Sequence, residues 1–270
     1  MIKLIATDID GTLVKDGTLI IDPEYMTVIS KLIDKGIIFT VCSGRQFSSE
    51  QKLFAPIKDK LMYITDGGTV VRTPDKILKT YPMSAALWKD MCRMVRDELP
   101  ACDYFAATPD LCYAEDGASP IFHRLRDSYG FEMREVDDLT KLENLTKLEN
   151  DDIIKFTVYH PTACEELCSP HFIPSWKDKA HVTSAGTEWV DCNTIGISKW
   201  TAISFLMCKY NIAPDEVCCF GDNLNDIEML KNAGTSYAVS NARPEVISAA
   251  KHTCAPYTEN GVLQVLKSFL

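Results

Sequence analysis

Short apolar runs, each stopped by a polar residue, set the rhythm of the chain. Residues 2–7 run apolar up to Asp8, and residues 37–42 repeat the form up to Ser43. Runs of this length with polar stops predict buried parallel strands. Between them, residues 23–35 carry Tyr25, Ile29, Leu32 and Ile33 near helical spacing, with Gly36 placed to end the helix. Strand, helix, strand predicts a right-handed crossover unit.

The same rhythm returns late in the chain. Residues 200–210 read as helix, 216–220 as strand, 226–233 as helix and 236–239 as strand. The two ends together predict an α/β fold with a Rossmann-like open parallel sheet. The middle differs. It reads as helix over 84–98, strands near 103–107 and 111–114, helix near 120–129, then strands near 132–136 and 153–159. Paired strands with intervening helices predict an inserted α+β domain over 83–187, leaving 1–82 and 188–270 as the core. Within the insert, the hexapeptide of residues 139–144 recurs at once over 145–150, too short a copy for a solenoid repeat.

Composition narrows the functional classes. A chain of 270 residues, 46% hydrophobic and 24% charged, has material for a substantial core and no low-complexity tract. The formal net charge of -10 repels polyanions, so neither nucleic acid nor an anionic membrane is an expected partner. No apolar run is long enough to span a bilayer, the first residues lack a signal-peptide pattern, and a cytoplasmic location is expected. The 11 cysteines are scattered and are expected as reduced, mostly buried thiols. Cys164, Cys168 and His171 come nearest to a metal cluster, but no second pair completes a tetrahedral zinc site.

The chemistry is expected where the apolar runs stop. Asp8-Ile9-Asp10-Gly11-Thr12 follows the first predicted strand, at the sheet edge where open α/β folds form their functional crevice. Gly11 permits the strand to break, so two carboxylates can share one place. Asp8 is the candidate nucleophile toward a phosphoryl group and Asp10 the candidate acid and base. Ser43-Gly44-Arg45 after the second strand offers a hydroxyl and an exposed backbone N–H as a phosphate cradle. Lys199 stands at the start of a helix, where backbone N–H groups already favour an anion. Gly221-Asp222-Asn223-Leu224-Asn225-Asp226 follows another apolar strand. There Asp222 is the candidate ligand for a hard cation such as magnesium. Asn225 is open to two roles, bonding phosphate or holding Lys199, and Asp226 is a candidate support. Either Asn225 or Asp226 also suits the N-cap of the next helix.

Four such elements in this order resemble the haloacid dehalogenase superfamily of aspartate-nucleophile phosphatases. The late Ser240-Asn241-Ala242 and Glu259-Asn260-Gly261-Val262 are similar to the tail of its Cof-type branch, which carries a large α/β cap between the second and third motifs. The resemblance implies Asp8 as nucleophile, Asp10 as acid and base, and Mg2+ held by Asp8, the Asp10 carbonyl and Asp222. It implies a phosphate held by the Ile9 N–H, Ser43, Gly44, Lys199 and Asn225, with Thr12 in a supporting role. The substrate it implies is a small phosphorylated metabolite, a sugar phosphate or a phosphorylated cofactor. A phosphomutase or a non-catalytic phosphometabolite sensor on the same fold is the alternative. The chain departs from the branch at Asp66-Gly67, where Asn-Gly is usual, at Trp200, where Gly usually follows the lysine, and at Val239-Ser240, where Met-Gly is common. Asp66 and Trp200 are therefore expected at the substrate pocket.

Overall fold

A computed structural model describes residues 1–144, 152–184 and 187–270. In chain order the strands are β1 (Leu4–Thr7), β2 (Ile38–Cys42), β3 (Met62–Thr65), β4 (Val70–Arg72) and β5 (Ile77–Thr80). There follow β6 (Asp103–Ala107), β7 (Cys112–Ala114), β8 (Met133–Glu135), β9 (Lys155–Tyr159), β10 (Ala180–Ser184) and β11 (Trp189–Thr194). Last come β12 (Val217–Gly221), β13 (Thr235–Val239) and β14 (His252–Cys254).

Among the described residues these strands form two sheets. The first is 8-stranded in the order β14-β13-β12-β1-β2-β3-β4-β5. It is parallel from β14 through β3, and β4 and β5 extend it antiparallel. All four residues of β1 are buried, as expected for a strand covered on both faces. The helix Glu24–Asp34 joins β1 to β2 and buries Tyr25, Ile29 and Leu32, three of the four residues whose spacing predicted it. Because β12, β1 and β2 are neighbours, the residues that follow them, Asp222, Asp8 and Ser43, arrive together at one sheet edge. β3 lies beside β2, so Asp66 arrives there too.

The second sheet, in the order β10-β11-β9-β6-β7-β8, is antiparallel except for the β7–β8 pair. It takes in β11, so by strand membership the insert runs past the boundary expected at 187. The helix expected over 120–129 divides into an α-helical turn, Pro120–His123, and a π-helical segment, Arg124–Tyr129. The first hexapeptide of the tandem repeat forms the 3-10 segment Leu139–Asn144; the second lies outside the described residues.

Side chains alternate strictly across this second sheet. Phe156, Val158, Val190 and Cys192 point into an apolar cluster with Trp88, Met91 and Val95 of the helix Ala85–Glu98. Phe105, Lys155, Thr157, Trp189 and Asp191 occupy the opposite face, which roofs a cavity against the first sheet. Cys164 and Cys168 belong to the packed face, with Sγ atoms 3.9 Å apart and the Cys164 thiol donating to the Val158 carbonyl at 3.2 Å. The eleven cysteines are unpaired, and all but Cys208 and Cys254 are buried.

Candidate active site

The crevice at the carboxyl ends of β1, β2 and β12, roofed by β6, β9 and β11, encloses about 230 Å³. Its floor includes Asp8, Asp10, Gly11, Ser43, Gly44, Asp222 and Asn225. Asp8 is fixed at the end of β1 by its N–H, which donates to the Phe220 carbonyl at 3.0 Å. Gly11 then breaks the strand at φ 77°, and its lack of a side chain is required twice over. A Cβ there would lie 2.3 Å from Asp222 Oδ2, and the left-handed backbone disfavours other residues.

Lys199 lies beneath the floor, 1% exposed, as the first residue of the helix Lys199–Tyr210. Its ammonium donates to Asp8 Oδ1 and to Asp226 Oδ1, each at 2.6 Å. These bonds give Lys199 two carboxylate partners, and no bond joins it to Asn225, whose buried Oδ1 has no partner among the described residues. Asp226 is fully buried and does not cap the following helix through its side chain. Its Oδ2 instead accepts from the Asp222 and Asn223 N–H groups at 2.9 and 3.1 Å, shaping the loop. Asn223 caps the short 3-10 turn, accepting from the Leu224 N–H at 2.8 Å. Gly221 lets Asp226 approach, since a Cβ there would meet the Asp226 Cβ at 2.5 Å. Thr12 Oγ1 donates to Asp222 Oδ1 at 2.8 Å.

Asp8, Asp222 and Asp226 each offer a carboxylate oxygen, all within 4.8 Å of one another. Three carboxylates against one ammonium leave surplus negative charge. Burial, then the charges of Asp8 and Asp226, push the Asp222 carboxyl up to about 9. Burial, with Asp226 and Asp10 adding to it, raises Asp8 to about 7 against the opposing pull of Lys199. Hard oxygen donors with unbalanced charge fit a hard divalent cation, which would restore the ionised forms. Asp10 contributes no carboxylate to this group. Its side chain is gripped by Arg45, whose Nε and Nη2 donate at 2.7 and 2.6 Å, and by the Gly17 N–H at 3.0 Å. The resemblance implies the Asp10 backbone carbonyl, not this carboxylate, as the cation ligand.

Two expected pocket residues lie elsewhere. Asp66 is fully buried behind the Ser43 loop and does not line the cavity. Trp200 packs, half-buried, against the core of the first sheet. The Ile9 side chain is also buried in that core, whereas the role implied for Ile9 belongs to its backbone N–H. The walls come from residues that motif reading passed over: Asp16, Phe105, Tyr129, Phe131, Lys155, Thr157, Trp189 and Asp191. Lys155 had a signal, as the lone charge in the apolar stretch of residues 153–159. Arg45 belongs to the Ser43-Gly44-Arg45 motif, whose sequence gives the guanidinium no role. The insert is seated on the floor by Tyr129 Oη, which donates to Asp16 Oδ1 at 2.6 Å, and by Lys52 Nζ, which donates to the Gly130 carbonyl at 2.7 Å.

Comparison with known proteins agrees with this arrangement. Residues 5–266 match the haloacid dehalogenase-like hydrolase family. The chain is 27% identical to the 5-amino-6-(5-phospho-D-ribitylamino)uracil phosphatase YbjI of Escherichia coli (strain K12), over 100% of this chain and 96% of that protein. It is 26% identical to the phosphatase of the same name, YcsE, from Bacillus subtilis (strain 168), over 100% and 96%. A crystal structure from Eubacterium rectale superposes with a TM-score of 0.86 at 77% identity, covering 100% of this chain and 99% of that one. With a match that spans nearly its whole length and the four motif segments gathered at one sheet edge, the chain belongs to the haloacid dehalogenase-like hydrolases.

Proposed function

We propose that this hydrolase is a magnesium-dependent phosphatase that transfers a phosphoryl group to Asp8 and then hydrolyses the aspartyl phosphate. The observation that carries the reading is the division of labour between two carboxylates on one cavity floor. Asp8 is bonded to Lys199, and Asp10 is held separately by Arg45 and Gly17. The chain's relatives in E. coli and B. subtilis, phosphatases by name, support the same reaction class.

Asp8 Oδ attacks phosphorus, and the ester oxygen leaves with a proton from Asp10. Water then attacks phosphorus while Asp10 takes its proton, so inorganic phosphate departs and Asp8 is restored. Lys199 stabilises negative charge through both steps, and the Ser43 hydroxyl and the Gly44 N–H bind phosphoryl oxygens. Asp8, Asp222 and the Asp10 carbonyl would hold the Mg2+, with Thr12 orienting Asp222 and Asp226 fixing its loop. When bound, the ion supplies positive charge that neutralises the phosphoryl oxygens.

The substrate is a small phosphorylated metabolite, and the walls favour a phosphorylated cofactor or heterocycle over a bare sugar phosphate. Phe105, Tyr129, Phe131 and Trp189 offer aromatic faces for a flat leaving group, and Asp191 offers an acceptor at its edge. The uracil-containing substrate in the names of two relatives is of this kind. The test is phosphate release from a panel of phosphorylated heterocycles and sugars, with magnesium and after chelation. Turnover that needs magnesium and vanishes in Asp8→Asn is expected; full activity in a chelated sample or in that variant would overturn the reading.

A further inference from the structure

Three consecutive carbonyls of the phosphate cradle are each held from behind. The Gly67 N–H donates to the Ser43 carbonyl at 2.9 Å and the Asp66 N–H to the Arg45 carbonyl at 3.0 Å. The Gly44 carbonyl between them is held differently, by Lys155 Nζ at 2.7 Å. Two donors are core backbone; the third is a side chain from the insert, 111 residues away in sequence. In a trans peptide the C=O and N–H point in opposite directions, so a held carbonyl fixes where the next N–H aims. Holding the Ser43 carbonyl aims the Gly44 N–H. Holding the Gly44 carbonyl aims the Arg45 N–H, which donates to Ser43 Oγ at 3.1 Å. That bond occupies an acceptor position of the hydroxyl and leaves its proton free for a ligand.

Lys155 is 2% exposed, and lysine is rarely buried without a partner. Its countercharges are Asp66, with Oδ1 at 3.3 Å, and Asp191, with Oδ2 at 3.8 Å. Neither is its shortest contact; the Gly44 carbonyl is nearer than both carboxylates. Asp66 is itself shaped for this place. It takes φ 52°, a left-handed conformation that Asp and Asn tolerate, and its Oδ2 accepts from the Thr65 hydroxyl at 2.8 Å.

We propose that Lys155 is a positioning residue supplied by the insert, whose ammonium fixes the Gly44 peptide so that the Ser43-Gly44-Arg45 cradle is complete only with the insert seated. This rests on the phosphatase reading above. Lys155 acts on the phosphoryl side of the substrate, so its loss weakens every phosphoester alike. The walls around it then choose among leaving groups, and Asp66 serves as its buried counterion.

The test compares Lys155→Met with the double variant Lys155→Met/Asp66→Asn, using inorganic phosphate as a competitive inhibitor and two esters with unlike leaving groups. The single variant strands a buried carboxylate and is expected to lose thermal stability. The double variant removes that charge, and Asn accepts the left-handed backbone at 66, so its melting temperature should return toward that of the wild type. Its phosphate inhibition constant should nevertheless stay weakened by about tenfold or more, on the scale of one charged hydrogen bond. Its kcat should fall by similar factors on both esters. A double variant that regains phosphate affinity and kcat together with stability would show Lys155 to be a counterion alone, and overturns the inference. A wild-type protein that neither releases phosphate nor is inhibited by it would remove the phosphatase reading, and this inference with it.

Discussion

The two sheets place their functional side chains in different ways. The parallel sheet works from its strand ends, where Asp8, Ser43 and Asp222 each follow the last residue of a buried strand. The antiparallel sheet works from one face, where Phe105, Lys155, Thr157, Trp189 and Asp191 alternate with residues packed under helices. A strand end fixes a side chain through backbone geometry and tolerates few substitutes. A strand face presents every second residue and can be rewritten without disturbing the sheet. On the proposed reading, chemistry belongs to the first arrangement and choice of substrate to the second, with Lys155 as the one member of the face that reaches down to the cradle.

The sharpest way to break this division is Lys199→Ala. Removing one preorganised charge from a water-poor site commonly costs on the order of a hundredfold or more in rate. Lys199 bonds Asp8 and Asp226 and no wall residue, so the loss should be equal for all phosphoesters, measured as kcat/KM across a panel. A loss confined to some leaving groups would move Lys199 from chemistry to recognition.

The metal group gives the next effect. Asp8 and Asp222 are raised from 3.8 to about 7 and about 9, chiefly by burial. A folded-state pKa above the unfolded value means that the stability these groups contribute is complete below about 3.8 and is lost as pH rises through 7 and then 9. The chelated protein should therefore melt at progressively lower temperature over that window. Magnesium binds the ionised carboxylates and should raise the melting temperature more at high pH than at low pH. An increment independent of pH would contradict the assignment of these two carboxyls.

Smaller effects should follow on the roof. Trp189→Ala is expected to shift the kcat/KM ratio between an aromatic and an aliphatic ester by roughly threefold to tenfold, the scale of one aromatic contact. Phosphate inhibition should stay unchanged. Smallest in function is Trp200→Gly, which removes packing against the core and should lower stability by about 1–2 kcal/mol, less than for a fully buried aromatic, with no change in substrate ranking.

Legibility in the sequence followed the same division. The placement of Asp8, Asp10, Ser43 and Asp222 could be read because a polar stop after an apolar run marks a strand end, and that of Lys199 because it opens a helix; the sheet order did the rest. The walls could not be read this way. Whether Trp189 or Val190 faces the cavity depends on which side the insert's helices cover, and only the pairing of β11 with β9 decides it. β10 and β11 themselves escaped notice because partly exposed positions blur their apolar pattern. Departures in motif put Asp66 and Trp200 at the pocket, whereas the fold sets Asp66 fully buried behind it and packs Trp200 against the core. Lys155 shows what a sequence can still offer: a single charge inside an apolar strand marks a buried partner.

The proposed reaction stands on Asp8 carrying the phosphoryl group. The test is an acid quench during turnover of p-nitrophenyl phosphate, whose leaving group needs no proton, by an Asp10→Asn variant in which the second half-reaction lacks its base, followed by mass spectrometry of the peptides. A phosphoryl adduct on the peptide containing Asp8, discharged by hydroxylamine, is expected. Phosphate release without any adduct, or an adduct on another residue, would contradict it.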